Sequence, residues 1–139
     1  MKLVYDFLKQ LCINNNRDWF TANKDFFEQA KLEFKDFVEK LIPQIVAFDD
    51  TVKDVKSTEC IFRIYKDVRF SKDKTPYKTN MGAFITPEGR KSCNAGYYIH
   101  IEPDNSFTAG GIYMPPSDKL LKIRQSIYSN PSEFKKYYY

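Results

Sequence analysis

Residues 79–113 read TNMGAFITPEGRKSCNAGYYIHIEPDNSFTAGGIY, and this stretch decides the fold. Three β-rich runs, Thr79 to Thr86, Ala95 to Glu102 and Ser106 to Tyr113, are separated by Thr86-Pro87-Glu88-Gly89 and Pro103-Asp104-Asn105-Ser106. Both tetrapeptides carry the turn residues of short antiparallel connections, so the three runs are expected to form a meander. A fourth run, Cys60 to Tyr65, is expected to join them in one sheet.

Upstream the periodicity changes. Trp19, Phe20, Phe26, Phe27, Ala30, Phe34, Phe37, Val38, Leu41 and Ile45 recur at three- and four-residue steps, the spacing of a long helix with one face packed on a core. Val4, Phe7, Leu8 and Leu11 predict a shorter helix before it, and Asn14-Asn15-Asn16 supplies the break and an N-cap. Pro43 is expected to end or kink the long helix, or to open a short successor. Downstream, Leu120, Leu121, Ile123 and Ile127 return to helical spacing after Pro115-Pro116-Ser117, with Ser117 the expected cap. Helices, an antiparallel sheet and helices again make an α+β plan.

The chain has 139 residues, which fits one domain, 1–139. It ends on Ser132-Glu133-Phe134-Lys135-Lys136-Tyr137-Tyr138-Tyr139, the start of a further helix, and is expected to be the N-terminal part of a longer domain. Cys12, Cys60 and Cys93 are odd in number, widely spaced and form no C-x-x-C pair, so free thiols in a reducing, cytoplasmic compartment are expected. Asp6 and Lys9 interrupt what would be the apolar stretch of a signal peptide, and no later run approaches a membrane span. No membrane partner and no cofactor is expected.

The formal net charge is +4, and its distribution matters more than its size. Between Arg63 and Lys78 six cations (Arg63, Lys66, Arg69, Lys72, Lys74, Lys78) face two anions (Asp67, Asp73), a local excess equal to that of the whole chain. Arg63 and Arg69 each offer a bidentate fork for a phosphate or carboxylate, with the lysines as point charges around them. Tyr65, Phe70 and Tyr77 interleave with these cations and offer flat surfaces to a nucleobase. The competing reading pairs Asp67 and Asp73 with neighbouring cations and leaves the rest solvated. Exposed pairs contribute only about 0–1 kcal/mol each, a weak reason to gather six cations. The expected ligand-binding set is Arg63, Lys66, Arg69, Ser71, Lys74, Tyr77 and Lys78.

The run from Arg63 to Thr79, RIYKDVRFSKDKTPYKT, resembles the signature of a widespread bacterial and fungal family, domain of unknown function 2461. Asn15-Asn16-Arg17-Asp18-Trp19-Phe20, Tyr97-Tyr98-Ile99-His100-Ile101-Glu102 and Gly110-Gly111-Ile112-Tyr113 extend the resemblance over nearly the whole chain. It implies no activity, since none is established for the family, and it implies a chain that continues past Tyr139. Lys66 stands where the family commonly has Arg, which keeps the charge and loses a fork.

Other candidates are secondary. His100 is the one histidine and sits mid-strand with no orienting group fixed by spacing, which favours a sheet-face role over catalysis. Ser71 has no neighbour able to take its proton. Glu102, Asp104 and Asn105 lack the spacing of a calcium loop, and three scattered cysteines with one histidine give no zinc site, so no metal is expected. Gly82, Gly110 and Gly111 mark close approach or a bulge, and Gly110-Gly111 is expected to leave room for a ligand beside Arg63 and Arg69. In the Asn15 to Phe20 motif, capping, the helix dipole and core packing explain every residue but Arg17, which is expected to join the site.

Three functions follow as expectations: a domain binding a phosphorylated small molecule, nucleotide or nucleic acid through residues 63–78; an enzyme acting on a phosphate- or carboxylate-bearing small molecule; or an interaction domain whose loop charges pair internally. The residues leave protein partners open.

Overall fold

The computed structural model describes residues 1–136. The element order is α1 (Lys2–Ile13), α2 (Arg17–Ala22), α3 (Lys24–Val46), α4 (Ser57–Cys60), β1 (Met81–Ile85), β2 (Gly96–Ile101), β3 (Phe107–Gly111), α5 (Ser117–Ser129) and α6 (Pro131–Lys135). A 3₁₀ turn, Asp50–Val52, follows α3. The α+β plan holds. The strands form one antiparallel sheet in the order β1-β2-β3, so the expected meander is present with three strands among the described residues.

The expected strand from Cys60 to Tyr65 is absent, and the reason lies in its partners. Cys60 closes the short helix α4. Ile61 then bridges Ala83 on the outer edge of β1, whereas Tyr65 bridges Tyr77. A segment that changes partner within four residues builds no continuous ladder.

Val4, Phe7, Leu8 and Leu11 of α1 and Phe27, Ala30, Phe34, Val38, Ile42 and Ile45 of α3 are buried. Glu33 of α3 ties the two helices further by accepting the Val4 amide at 3.0 Å, one of the donors a helix start leaves unpaired. The helical run from Trp19 to Ile45 is broken at Asn23, whose side-chain amide donates to Trp19 O at 2.9 Å and closes α2. Asn16 caps α2 by accepting the Trp19 amide at 2.9 Å, as its sequence position predicts. Pro43 lies inside α3 and opens no successor; the helix runs three residues further, to Val46. Pro116, not Ser117, occupies the N-cap of α5, and no side chain caps that helix.

One face of the sheet meets the helices, with Ala83, Ile85 and Ile99 buried there beside half-buried Tyr97 and Ile101. The period of two turns Gly82, Phe84, Tyr98, His100 and Phe107 to the other face. The β2–β3 link is tight, with Asp104 at φ 60 and the Asn105 amide bonded to Glu102 O at 3.2 Å. The β1–β2 link, residues 86–95, is longer than its turn residues predict and bends at Glu88 (φ 69) and Gly89 (φ 75). Helix α5 packs on α6, and its Lys119 Nζ donates to Cys93 O at 2.9 Å.

Candidate functional site

The basic loop stands on a short antiparallel stem. Lys66 N–H donates to Pro76 O at 2.9 Å and Lys78 N–H to Ile64 O at 2.8 Å, on either side of the Tyr65–Tyr77 bridge. The stem is fixed to the helices by one side chain. Asn15 accepts the Tyr77 amide at 3.2 Å and donates its own amide to Tyr77 O at 2.9 Å, filling both backbone positions as a neighbouring strand would. The Tyr77 ring stacks on Phe20, with centroids 4.0 Å apart and planes within 11°, and Tyr65 leans on both. Burial and the neighbouring Tyr65 raise the Tyr77 phenol above its ordinary range. The charge of Arg17 opposes that shift, which places Arg17 in electrostatic reach of the stem. Tyr77 is therefore a pillar of the loop rather than an open ligand platform.

Beyond the stem, much of the charge is paired within the loop. Arg69 spends its fork on Asp67, with Nε to Oδ1 at 3.0 Å and Nη2 to Oδ2 at 2.7 Å. Lys66 Nζ pairs with Asp73, whose other contacts come from the Thr75 amide at 2.9 Å and hydroxyl at 3.0 Å. Lys74 Nζ donates to Val68 O at 3.0 Å. Ser71 Oγ has no hydrogen bond among the described residues, and Phe70 at the tip is 96% exposed. Lys72 and Lys78 have no carboxylate partner among the described residues, and Arg63 forms no ion pair there, although its charge helps to lower the Asp67 carboxyl. Lys78 Nζ lies 5.6 Å from the Phe62 ring centroid, and burial first, then the charge of Arg63, lowers its pKa.

These pairs have a pH signature. The Arg69 hydrogen bonds hold the Asp67 carboxyl at about 2, and Lys66 followed by Thr75 holds Asp73 at about 2, against an ordinary 3.8. A folded-state value below the unfolded one contributes stability above the ordinary range, lost as pH falls toward the folded value. Carboxyl NMR titration is expected to give midpoints near 2 for both groups; midpoints near 3.8 would mean that the pairs do not persist in solution.

The solvent-facing side of the sheet carries a second constellation, contiguous with the cations through Phe62. Phe62, Tyr98, His100 and Phe107 form a series of rings: centroids are 6.2 Å apart for Phe62–Tyr98, 5.8 Å for Tyr98–Phe107 and 4.7 Å for the stacked His100–Phe107 pair. Phe62 is 36% and Phe107 48% exposed. Tyr98 Oη lies 2.9 Å from His100 Nδ1, and Asn80 Nδ2 approaches the same nitrogen at 3.4 Å. His100 Nε2 faces Glu102 Oε2 at 3.2 Å. With donors at Nδ1 and a carboxylate at Nε2, the partners assign the ring proton to Nε2. Thr79 Oγ1 donates to Glu102 at 2.7 Å and Asn105 Nδ2 at 3.0 Å. Thr79 above all, with Asn105 and His100 against the cost of burial, keeps the Glu102 carboxyl below its ordinary range. Gly82 makes room for this group, since a Cβ there would lie 3.0 Å from Tyr98 Oη.

Sequence reasoning placed His100 without an orienting partner, and the structure supplies one in Glu102. Tyr98 and His100 lie in β2 and Glu102 follows directly after its last residue, so the three stand at i, i+2 and i+4, and that alternation was the available signal. The expectation for Gly110 and Gly111 is corrected. They lie in β3, whereas the chain leading to Arg63 runs along the far edge, outside β1. Neither glycine has any atom within 4 Å of a built Cβ, so the space beside them is open but not beside Arg63.

Two hollows lie away from the loop. One of about 370 Å³ is bordered by Lys35, Glu39, Pro43 and Ser57, the other of about 320 Å³ by Leu41, Ile45, Tyr97 and Ala109. Among the described residues no group of three or more His, Cys, Asp or Glu side chains is placed to hold a metal ion. No helix of the described residues is long and apolar enough to cross a membrane.

No match was found among curated proteins or among solved structures. A family model described as "Conserved hypothetical protein (DUF2461)" matches residues 4–138. With the loop motif, the Asn15–Tyr77 clasp and the β2 motif all inside that span, the chain belongs to the DUF2461 family.

Proposed function

We propose that the domain binds single-stranded nucleic acid or its nucleotides on the solvent-facing side of the sheet. The observation that carries this reading is the series of four rings, Phe62, Tyr98, His100 and Phe107, edged by Lys78 and Arg63. Bases stack on such rings with about 1–3 kcal/mol each, whatever their sequence, while cations beside the platform track the backbone. The reading shifts the ligand from the loop tip, where Arg69 and Lys66 are occupied by Asp67 and Asp73, to the loop's root and the adjoining sheet. Lys66, Arg69 and Lys74 then shape the loop, leaving Arg63 and Lys78 at its root as the phosphate contacts. A cytoplasmic location accords with three free cysteines.

The internal pairing of Asp67 and Asp73 also favours a purely architectural role for the loop, and one experiment separates the two. Fluorescence anisotropy with short oligothymidylate and oligouridylate is expected to show binding that weakens with salt. Two neutralised phosphates at about 0.7 each give a log–log slope of about −1.4. Phe107→Ala is expected to weaken binding by about tenfold, the equivalent of one modest stack. Lys78→Ala is expected to flatten the slope by about 0.7. Absence of binding, or binding indifferent to both substitutions, would reject the platform and leave the architectural role.

A further inference from the structure

The hydrogen bonds around His100 form a directional chain that stacking does not need. Glu102 accepts from His100 Nε2 at 3.2 Å, and His100 Nδ1 accepts the Tyr98 hydroxyl at 2.9 Å. Thr79 and Asn105 anchor the carboxylate at 2.7 and 3.0 Å, so the imidazole has a fixed orienting group. The chain ends on a phenol whose oxygen stands over Gly82, where no side chain intervenes. Phe62 packs on the same tyrosine and brings Lys78 to that side of the sheet.

We infer that Tyr98 is a nucleophile activated by His100 and Glu102, and that its substrate is a phosphodiester presented by the nucleotide ligand. This inference rests on the proposed nucleotide-binding surface. In the step, Tyr98 Oη forms a bond to phosphorus while the bond from phosphorus to the leaving oxygen breaks with its electron pair. The phenol proton moves to His100 Nδ1, and the imidazolium is held by the Glu102 carboxylate. The leaving oxygen takes that proton from His100 or, where it is a stable anion, leaves without it. Water then attacks the phosphotyrosyl phosphorus, losing a proton to solvent or to His100, and the tyrosyl oxygen is released and reprotonated. Lys78 and Arg63 offset the charge on the non-bridging oxygens.

The proton relay is required because the phenol is not otherwise activated. Burial first, then the Glu102 charge, raises the Tyr98 pKa, so phenolate is scarce and the proton must leave as the new bond forms. A base placed in this way typically contributes about 10²–10⁴-fold.

The test uses the full chain and bis(p-nitrophenyl) phosphate, whose leaving group needs no proton. A burst of p-nitrophenolate is expected, together with one added p-nitrophenyl phosphoryl group that peptide mass mapping places on Tyr98. Tyr98→Phe keeps the ring and is expected to abolish both signals. His100→Gln is expected to slow the burst about 100-fold or more, with melting curves confirming that both variants are folded. Oligonucleotide binding without any adduct, an adduct on another residue, or a burst unchanged by His100→Gln in a folded variant would overturn the inference and leave the binding surface standing. An adduct on Tyr98 without oligonucleotide binding would support the relay and remove the nucleic-acid reading instead.

Discussion

Replacing Phe7 with alanine is expected to destabilise the domain by about 3–5 kcal/mol, the range for removing a buried aromatic ring. Phe7 is fully buried and touches four other rings: Trp19 at 6.0 Å, Phe20 at 6.2 Å, Phe26 at 5.4 Å and Phe27 at 5.5 Å between centroids. It therefore joins α1, α2 and α3 at a single point. Domains of this size are stable by only about 5–15 kcal/mol, so the loss would consume a large share. Because Phe20 passes from this cluster to the Tyr77 stack, the loop stem should loosen as well. Urea unfolding measures the effect, and a change below about 1 kcal/mol would mean that the neighbouring rings close over the cavity.

Gly96→Ala is expected to cost about 3 kcal/mol or more, for the opposite reason. A Cβ at this position would lie 2.4 Å from Ile85 O and 2.6 Å from Thr86 Cβ. The first of these is backbone, so β2 could take the methyl group only by moving off β1. Gly110→Ala is the control, because nothing lies within 4 Å of its built Cβ, and a surface change of that kind stays within about 0.5 kcal/mol. Equal melting temperatures for the two variants would show that the β1–β2 register yields at little cost.

The contrast between these glycines also shows what the sequence could reveal. The apolar spacing of Val4, Phe7, Leu8 and Leu11 was enough to define the buried face of α1, since helix periodicity and burial are local properties. The meander was legible for the same reason, its strands alternating between turn residues. Cys60 to Tyr65 misled because β propensity describes how a residue fits a pleated surface, whereas a strand needs one continuous partner. Ile61 and Tyr65 each have a partner, and they are different ones. The cation excess at 63–78 was plain in the sequence; which cations Asp67 and Asp73 would occupy was not, because pairing depends on how the loop closes. The ring series was hidden further still, since Phe62, Tyr98 and Phe107 come together only when three separate segments lie side by side.

The Asn15–Tyr77 clasp spans 62 residues of chain and holds the loop's root from outside the loop. Continuity of the backbone through the tip therefore contributes little to keeping the root in place. A single peptide cleavage beside exposed Lys72 or Lys74 would leave one fragment bearing α1 to α4 and another bearing the sheet. Those fragments would share the Phe20–Tyr77 stack, the Ile61–Ala83 bridge and the buried contacts of Ala83, Ile85 and Ile99. Cleavage at this basic turn is therefore expected to leave two fragments held together by the surfaces that folding had joined, which co-elution of the nicked halves from a sizing column would check.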